Sequence, residues 1–288
     1  MIRHKHTQKE KRFVKAEQSI LLNCDTMNSG RILRKTGWVA VLAICLLALP
    51  GAASAEDIFS YQTENRSYSL EKYTDIFAIE ESRDGGYIIG GLASKDDGSN
   101  SAFVLKTDRD GEQLWSKIYP GEMMISIKEL DDGRIVAASF KEFIKAGSSY
   151  APISGSGHLF ITEQDGTVIW TEELPGDMPG AVLIDEEEII LVGWRWNLAE
   201  EQDILEGFFY RYDLLGARVG EVTYEGVSIH DILTTDDGGY LILGSSEVRQ
   251  GAEAVYYGHL TKINASGTPK WTETYDNRAL FAITEMDA

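Results

Sequence analysis

Apolar residues fall in short runs along Tyr73–Pro120, and polar turns carrying glycine separate several of them. Ile76-Phe77-Ala78-Ile79 is followed by the turn Asp84-Gly85-Gly86 and a second run, Tyr87-Ile88-Ile89-Gly90-Gly91. Phe103-Val104-Leu105-Lys106 leads into Asp108-Arg109-Asp110-Gly111, and Leu114-Trp115 follows. Runs this short, rich in β-branched and aromatic residues and bounded by Asp and Gly, predict four strands. Residues 56–288 sustain no 3.6-residue apolar period, so helical solenoids are not expected.

The unit recurs with drift. An acidic residue or Asn, a Gly three later and a Trp four after that occur as Asp108, Gly111, Trp115. The same spacing gives Glu163, Gly166, Trp170 and Asn264, Gly267, Trp271; a weaker copy, Asp213 and Gly216, has Gly220 in the Trp slot. The earlier turn recurs as Asp132-Gly133-Arg134 and Asp237-Gly238-Gly239-Tyr240, whereas the third copy has Glu186-Glu187-Glu188 and no Gly. A small residue is expected to end the second strand at Gly91, Ala138, Gly193 and Gly244, spaced by 47, 55 and 51 residues. A period of about 50 with four short strands per unit predicts propeller blades or another β array. One such sheet cannot cover both its faces, so neighbouring copies must supply the cover. Four repeats follow, 74–122, 123–178, 179–226 and 227–276, and Leu280-Phe281-Ala282-Ile283 matches the opening Ile76-Phe77-Ala78-Ile79. The expected fold is therefore all-β: a β-propeller-like array of four-stranded blades, four repeats plus a composite or incomplete terminal blade. Two short strands are expected within residues 56–73, around Phe59, Tyr61, Tyr68 and Leu70. If they pair with the Leu280–Ile283 strand, the ring closes; if not, the gene product is truncated.

Residues 1–26 are polar and basic and resemble nothing that follows. They are expected to be an over-called extension, with translation starting at Met27. Arg31, Arg34 and Lys35 precede an unbroken apolar run, Val39 to Leu49, of 11 residues, and Ala53-Ser54-Ala55 is a small-x-small cleavage pattern. Residues 27–55 thus read as a secretory signal peptide cut before Glu56, since a membrane span needs about 20 apolar residues. That leaves residues 56–288 as a single exported domain, periplasmic or extracellular, with no membrane span after processing. Both cysteines, Cys24 and Cys45, lie before the cut, so no disulfide is expected beyond it.

Charge divides at the same place. Residues 1–55 hold nine of the 27 Lys and Arg but three of the 46 Asp and Glu, leaving 18 against 43 in the remainder, a net of −25. Such a surface repels nucleic acid and anionic lipid and favours solubility, weak cation association or basic partners.

Candidate chemistry is sparse. His158 and His259 stand five residues before Glu163 and Asn264, the slot that holds Phe103 and Phe208, and His230 aligns with Phe77. All three read as packing positions, and no spaced metal-ligand set is present. Asp108–Gly111 and Lys95–Asn100 gather oxygens but lack a calcium loop's closing Glu. Ser228, His230 and Asp231 contain triad residue types, but a cluster on one strand is not expected to converge on one point. Gly193-Trp194-Arg195-Trp196-Asn197 departs most from the repeat, whose first copy has Gly91-Leu92-Ala93-Ser94 there. Two Trp flanking an Arg suit ligand stacking, so Trp194, Arg195 and Trp196 are the candidate ligand-binding residues. Alternation places Trp194 and Trp196 on one face, which inter-blade packing would also explain. Phe140–Ser156, rich in Gly and Ser, is expected to be an inter-strand loop.

The stretch Asp84–Gly91 with Lys106-Thr107-Asp108, Gly111 and Trp115 resembles the repeats of secreted bacterial and archaeal β-propeller-like proteins. The Gly-to-Trp spacing is also similar to the tryptophan-docking repeat of quinoprotein-like propellers, which include non-enzymatic envelope assembly factors. The resemblance spans about residues 74–288 and implies that Trp115, Trp170 and Trp271 pack rather than catalyse. Quinone chemistry is not expected, because residues 56–288 lack a vicinal cysteine pair and there are fewer repeats than those enzymes have blades. The expectation is an exported, non-enzymatic binding or scaffold protein, without cofactor, for an unknown protein or glycan. The alternatives are a carbohydrate-binding propeller using Trp194 and Trp196, and a quinoprotein-like oxidoreductase or propeller hydrolase.

Overall fold

The computed structural model describes residues 73–143, 154–198, 203–250 and 253–284. The expected extension, the signal peptide and the two strands before Tyr73 lie outside them. All described residues belong to one compact unit spanning Arg66–Ala288, and none is helical.

Sixteen strands form four antiparallel sheets, each a meander in chain order. Blade 1 contains β1 (Tyr73–Glu81), β2 (Tyr87–Ser94), β3 (Asn100–Thr107) and β4 (Gln113–Tyr119). Blade 2 contains β5 (Met123–Glu129), β6 (Ile135–Phe143), β7 (Ser154–Thr162) and β8 (Val168–Pro175). Blade 3 contains β9 (Asp177–Asp185), β10 (Glu188–Leu198), β11 (Asp203–Asp213) and β12 (Arg218–Glu225). Blade 4 contains β13 (Ser228–Thr234), β14 (Tyr240–Gln250), β15 (Glu253–Ile263) and β16 (Pro269–Asp276). The first strand of each later blade rests on the blade before it: β5 on β1–β3, β9 on β5–β7, β13 on β9–β11. The result is a blade-like array.

Each first strand carries one bulge at the same place, skipping Phe77, Ile125, Gly180 and His230. The register around it pairs Ile76 with Gly91, Met124 with Ser139, Pro179 with Gly193 and Ile229 with Gly244. The small residue of the second copy is therefore Ser139, one position beyond the expected Ala138; its hydroxyl donates to Pro120 O at 2.7 Å. The expected loop at Phe140–Ser156 is shorter than the composition suggested, since β6 runs to Phe143 and β7 begins at Ser154.

Turn chemistry explains the sequence signature. Asp84, Asp132 and Asp237 accept bonds from the amides two residues on, at 3.0, 3.0 and 3.3 Å. Asp108, Asp213 and Asn264 each cap two amides of their own turns. The third copy shortens its first turn to Glu186-Glu187 between paired Asp185 and Glu188. That two-residue hairpin holds Glu186 at φ 50°, a conformation that favours Gly.

Alternation splits every sheet into two apolar faces. Ile88, Ala102 and Val104 of blade 1 meet Met124, Ile127, Ala137 and Phe160 of blade 2. Val136, Leu159 and Leu174 of blade 2 meet Leu191, Phe208 and Tyr210 of blade 3. Ile190, Val192 and Phe209 of blade 3 meet Ile229, Ile242 and Ile263 of blade 4. Two of the tryptophans dock between blades. Trp115 lies against Gly166 and donates to Gln164 O at 3.1 Å; Trp170 lies against Gly216 and edge-on to Tyr212. In the third copy, with Gly220 in the Trp slot, Val222, Phe209 and Tyr224 approach Gly267 instead. Tyr224 donates to Gly267 O at 2.7 Å, as Tyr119 does to Gly166 O at 2.8 Å. Trp271 is 46% exposed.

Candidate functional site at the junction of blades 3 and 4

The two ends of the array differ. One end carries the tight turns, where Asp108, Asp131, Asp165, Glu187 and Asp236 concentrate negative charge. There a cleft of about 560 Å³ is lined by Glu80, Glu129, Asp132 and Glu186. Its cations are engaged: Lys128 pairs with Glu80 at 2.7 Å, and Arg83 with Asp131. Among the described residues no group of three or more His, Cys, Asp or Glu is placed to hold a metal ion. The other end carries the links between blades and the long hairpins β6–β7, β10–β11 and β14–β15. Trp194 and Trp196 stand on the second of these hairpins.

The candidate triplet splits across the sheet. Trp194 and Trp196 alternate with Ile190 and Val192 on the face toward blade 4, and Arg195 lies on the face toward blade 2. Trp194 stacks edge-on against His230 at 5.0 Å between centroids, and His230 meets Phe281 at 5.0 Å. Three aromatic rings thus run from β10 across the β13 bulge to the segment after β16. Both tryptophans and His230 are half-buried, and Phe281 is 66% exposed. The bulge is what turns His230 out of the strand's alternation toward Trp194.

His230 Nε2 lies 3.0 Å from Ser228 Oγ and 2.8 Å from Ser245 Oγ. Burial lowers its pKa to about 4, so the imidazole is neutral near pH 7. Asp231 accepts from the amides of Ile232 and Ile283, both at 2.9 Å, and burial raises its pKa. Its carboxylate is committed to backbone, so Ser228, His230 and Asp231 are not joined as a relay. Ser228 itself donates to Ser245 O at 2.9 Å.

Arg195 sits in a separate network. Its Nε donates to Glu206 at 2.9 Å and its Nη1 to Tyr210 OH at 2.9 Å, with Asp177 Oδ1 at 3.5 Å. Tyr210 OH donates to Asp177 Oδ2 at 2.9 Å. Burial pushes the Asp177 pKa up, against the pull of Tyr210 and Arg195. Arg218 lies over the Tyr210 ring at 4.0 Å and pairs with Glu172 of blade 2 at 2.7 Å. The Tyr210 pKa is raised by burial first and by Asp177 second. These groups tie β9, β10 and β11 together and join blade 3 to blade 2.

The segment after β16 was expected to match β1, and it occupies the corresponding place. Ile283 N bonds to Asp231 of β13 as Val182 N of β9 bonds to Ser126 of β5, both at 2.9 Å. Leu280 lies where a Cβ on Gly258 would come within 2.5 Å of it, as Pro179 lies by Gly157 and Ile229 by Gly207. Among the described residues the segment has no ladder partner of its own. Sequence reasoning missed its contribution to the aromatic run; the match of Leu280–Ile283 to Ile76–Ile79 was the signal that could have found it.

No family model and no curated protein matches the chain. Among solved structures, the crystal structure of a eukaryotic initiation factor aligns with 71% of this chain at 10% identity and a TM-score of 0.29. The alignment spans about 56% of that structure's length.

Proposed function

We propose that the protein is an exported, non-enzymatic binding or scaffold protein whose aromatic end receives a partner protein. The observation that carries the reading is the run Trp194–His230–Phe281, which crosses two blades and ends in an exposed Phe. Partly exposed aromatic rings are the side chains that dominate protein interfaces, because they give large contact area for little lost rotamer freedom. The titratable groups beside them support binding over catalysis. Asp231 is spent on backbone amides, and the Arg195 network lies on the opposite face. The apolar run Val39–Leu49 with Ala53-Ser54-Ala55 supports export to the periplasm or medium. The acid-rich turn end fits a weak atmosphere of cations.

The test uses the full chain as bait in a random-peptide display selection, repeated with a Trp194→Ala, Phe281→Ala double variant. Enriched peptides should lose at least about tenfold in affinity for the double variant, the order found for hot-spot residues. Peptides that bind both proteins equally would sink the proposal. So would a selection in which no sequence enriches.

A further inference from the structure

The interface between blades 3 and 4 is built unlike the two before it. On the third strand of blades 2, 3 and 4, one register position faces the preceding blade: Phe160, Tyr210 and Thr261, opposite Thr171, Glu221 and Thr272 on the fourth strand. Phe160 and Tyr210 are both 1% exposed and fill their interfaces. Thr261 cannot fill the same volume. Across the same interface Gly220 stands in the docking Trp slot, where Val222, Phe209 and Tyr224 approach Gly267 instead. The large side chain missing from this junction is therefore the one at Thr261.

The gap is a cleft of about 290 Å³. Tyr224 of β12 and Val227 of the link to β13 form an apolar wall on one side, while Ile242 lies beside its ladder partner Thr261. The opposite side presents Ser246, His259, Thr261 and Thr272. These groups are already aligned with one another. His259 Nε2 lies 2.7 Å from Ser246 Oγ and Nδ1 lies 3.4 Å from Thr274 Oγ1, and the hydroxyls of Thr261 and Thr272 are 2.9 Å apart. Every one of them is uncharged near neutral pH and can both donate and accept. Three hydroxyls and an imidazole thus share the cleft with apolar side chains.

We propose that this inter-blade cleft binds one neutral, polyhydroxylated ring, a single pyranose unit, either free or at the end of a chain. The hydroxyl edge of such a ring matches the Ser246–His259–Thr261–Thr272 side. Its C–H face matches the Tyr224 and Val227 side. The volume is at the lower bound of small-molecule sites and admits about one ring. Charged ligands fit less well, because Glu225 at the rim repels anions and the lining offers a cation no other carboxylate. The site is independent of the aromatic run, since neither Trp194 nor Phe281 lines it.

The experiment is saturation-transfer NMR on the full chain with glucose, galactose, mannose and N-acetylglucosamine, and with the β1,4-linked disaccharides of glucose and N-acetylglucosamine. Transfer to at least one sugar is expected. Signal on monosaccharides identifies a free sugar as sufficient; signal on disaccharides alone, confined to one ring, identifies a chain end. Thr261→Phe puts back the residue of blade 2 and should abolish transfer while leaving the thermal midpoint equal or higher. Should that variant fail to fold, Ser246→Ala with Thr272→Ala removes hydroxyls without adding volume and should weaken binding about tenfold. Trp194→Ala should keep the signal. No transfer to any sugar, or transfer undiminished in the cleft variants, overturns the proposal.

Discussion

Replacing Arg195 by Met separates a structural cation from a ligand-binding one. The guanidinium makes two charge-assisted bonds at 2.9 Å, to Glu206 and to Tyr210, and approaches Asp177, which is 6% exposed. Bonds to charged groups contribute about 1.5–3 kcal/mol each when buried. The Arg195 side chain is 32% exposed, so solvent screening reduces the sum. Met keeps most of the aliphatic packing, so the loss isolates the charge. We expect about 2 kcal/mol in a urea titration near pH 7. The pH dependence follows from Asp177. Its folded pKa is raised by burial, so in the window between its unfolded and folded values the native state holds more protons. Stability from this group therefore rises as pH falls through that window. Removing Arg195 takes away a cation that opposes the rise, so the variant gains more on acidification. Its deficit should be largest near neutrality and should narrow below the carboxylate range. A loss under about 0.5 kcal/mol, or a deficit that widens in acid, would refute the assignment of Arg195 to the fold.

Other consequences are checked the same way. Trp170→Ala should cost about 2–4 kcal/mol, because it empties the contact with Gly216 and Tyr212, whereas Trp271→Ala, on a half-exposed ring, should cost under about 1 kcal/mol; equal losses would contradict the docking account. Glu186→Gly should raise stability by about 0.5–1 kcal/mol in urea, since it relieves a positive-φ non-Gly residue at φ 50°; a lower urea midpoint would show that the turn is not strained. The His230 ring should titrate near pH 4, which an NMR pH series reads directly. Because its folded pKa lies below its unfolded value, its contribution to stability is present above about pH 6.5 and is lost as pH falls toward 4. A midpoint at or above 6.5 would contradict the burial that Trp194, Phe281 and the two serines impose.

The repeat was legible because its marks are chemical necessities of turns. Asp84-Gly85-Gly86 and Asp108–Gly111 read as turns since a side-chain acceptor and a positive-φ Gly are both required there. Four strands per unit followed from the spacing. The exact register did not: Ala138 and Ser139 are both small, and only the bulge at Ile125 decides which one stands opposite Met124. Trp194 and Trp196 on one face followed from alternation. Grouping Arg195 with them did not survive the same rule, because adjacent residues of a strand point to opposite faces. The cleft between blades 3 and 4 was not legible. Gly220 stood out against Trp115 and Trp170 but does not line it, and Thr261 signifies a missing ring only once it is paired with Thr272 and aligned with Phe160 and Tyr210.

The array also shows why its drift is uneven. Ile127 of β5 and Ile232 of β13 are buried because the preceding blade covers them. Their counterpart in β1, Ile79, is 65% exposed, and Ile76 is 59% exposed where Met124 and Ile229 are buried. These positions keep their apolar residues although no described blade precedes them. A solvent-facing strand gains nothing from Ile at both sites. In the later blades such residues are covered by the preceding blade, and Leu280–Ile283 lies on the other, following side of β13, as β9 does for β5. At the first two interfaces, side chains stay large and interlocking. The third interface relaxes this at one position, with Thr261 where the first two have Phe160 and Tyr210, and hydroxyls border the volume this leaves. A repeat can tolerate such an exchange because each interface is stabilised nearly independently of the others. That independence lets one junction specialise for a ligand while its neighbours hold the scaffold.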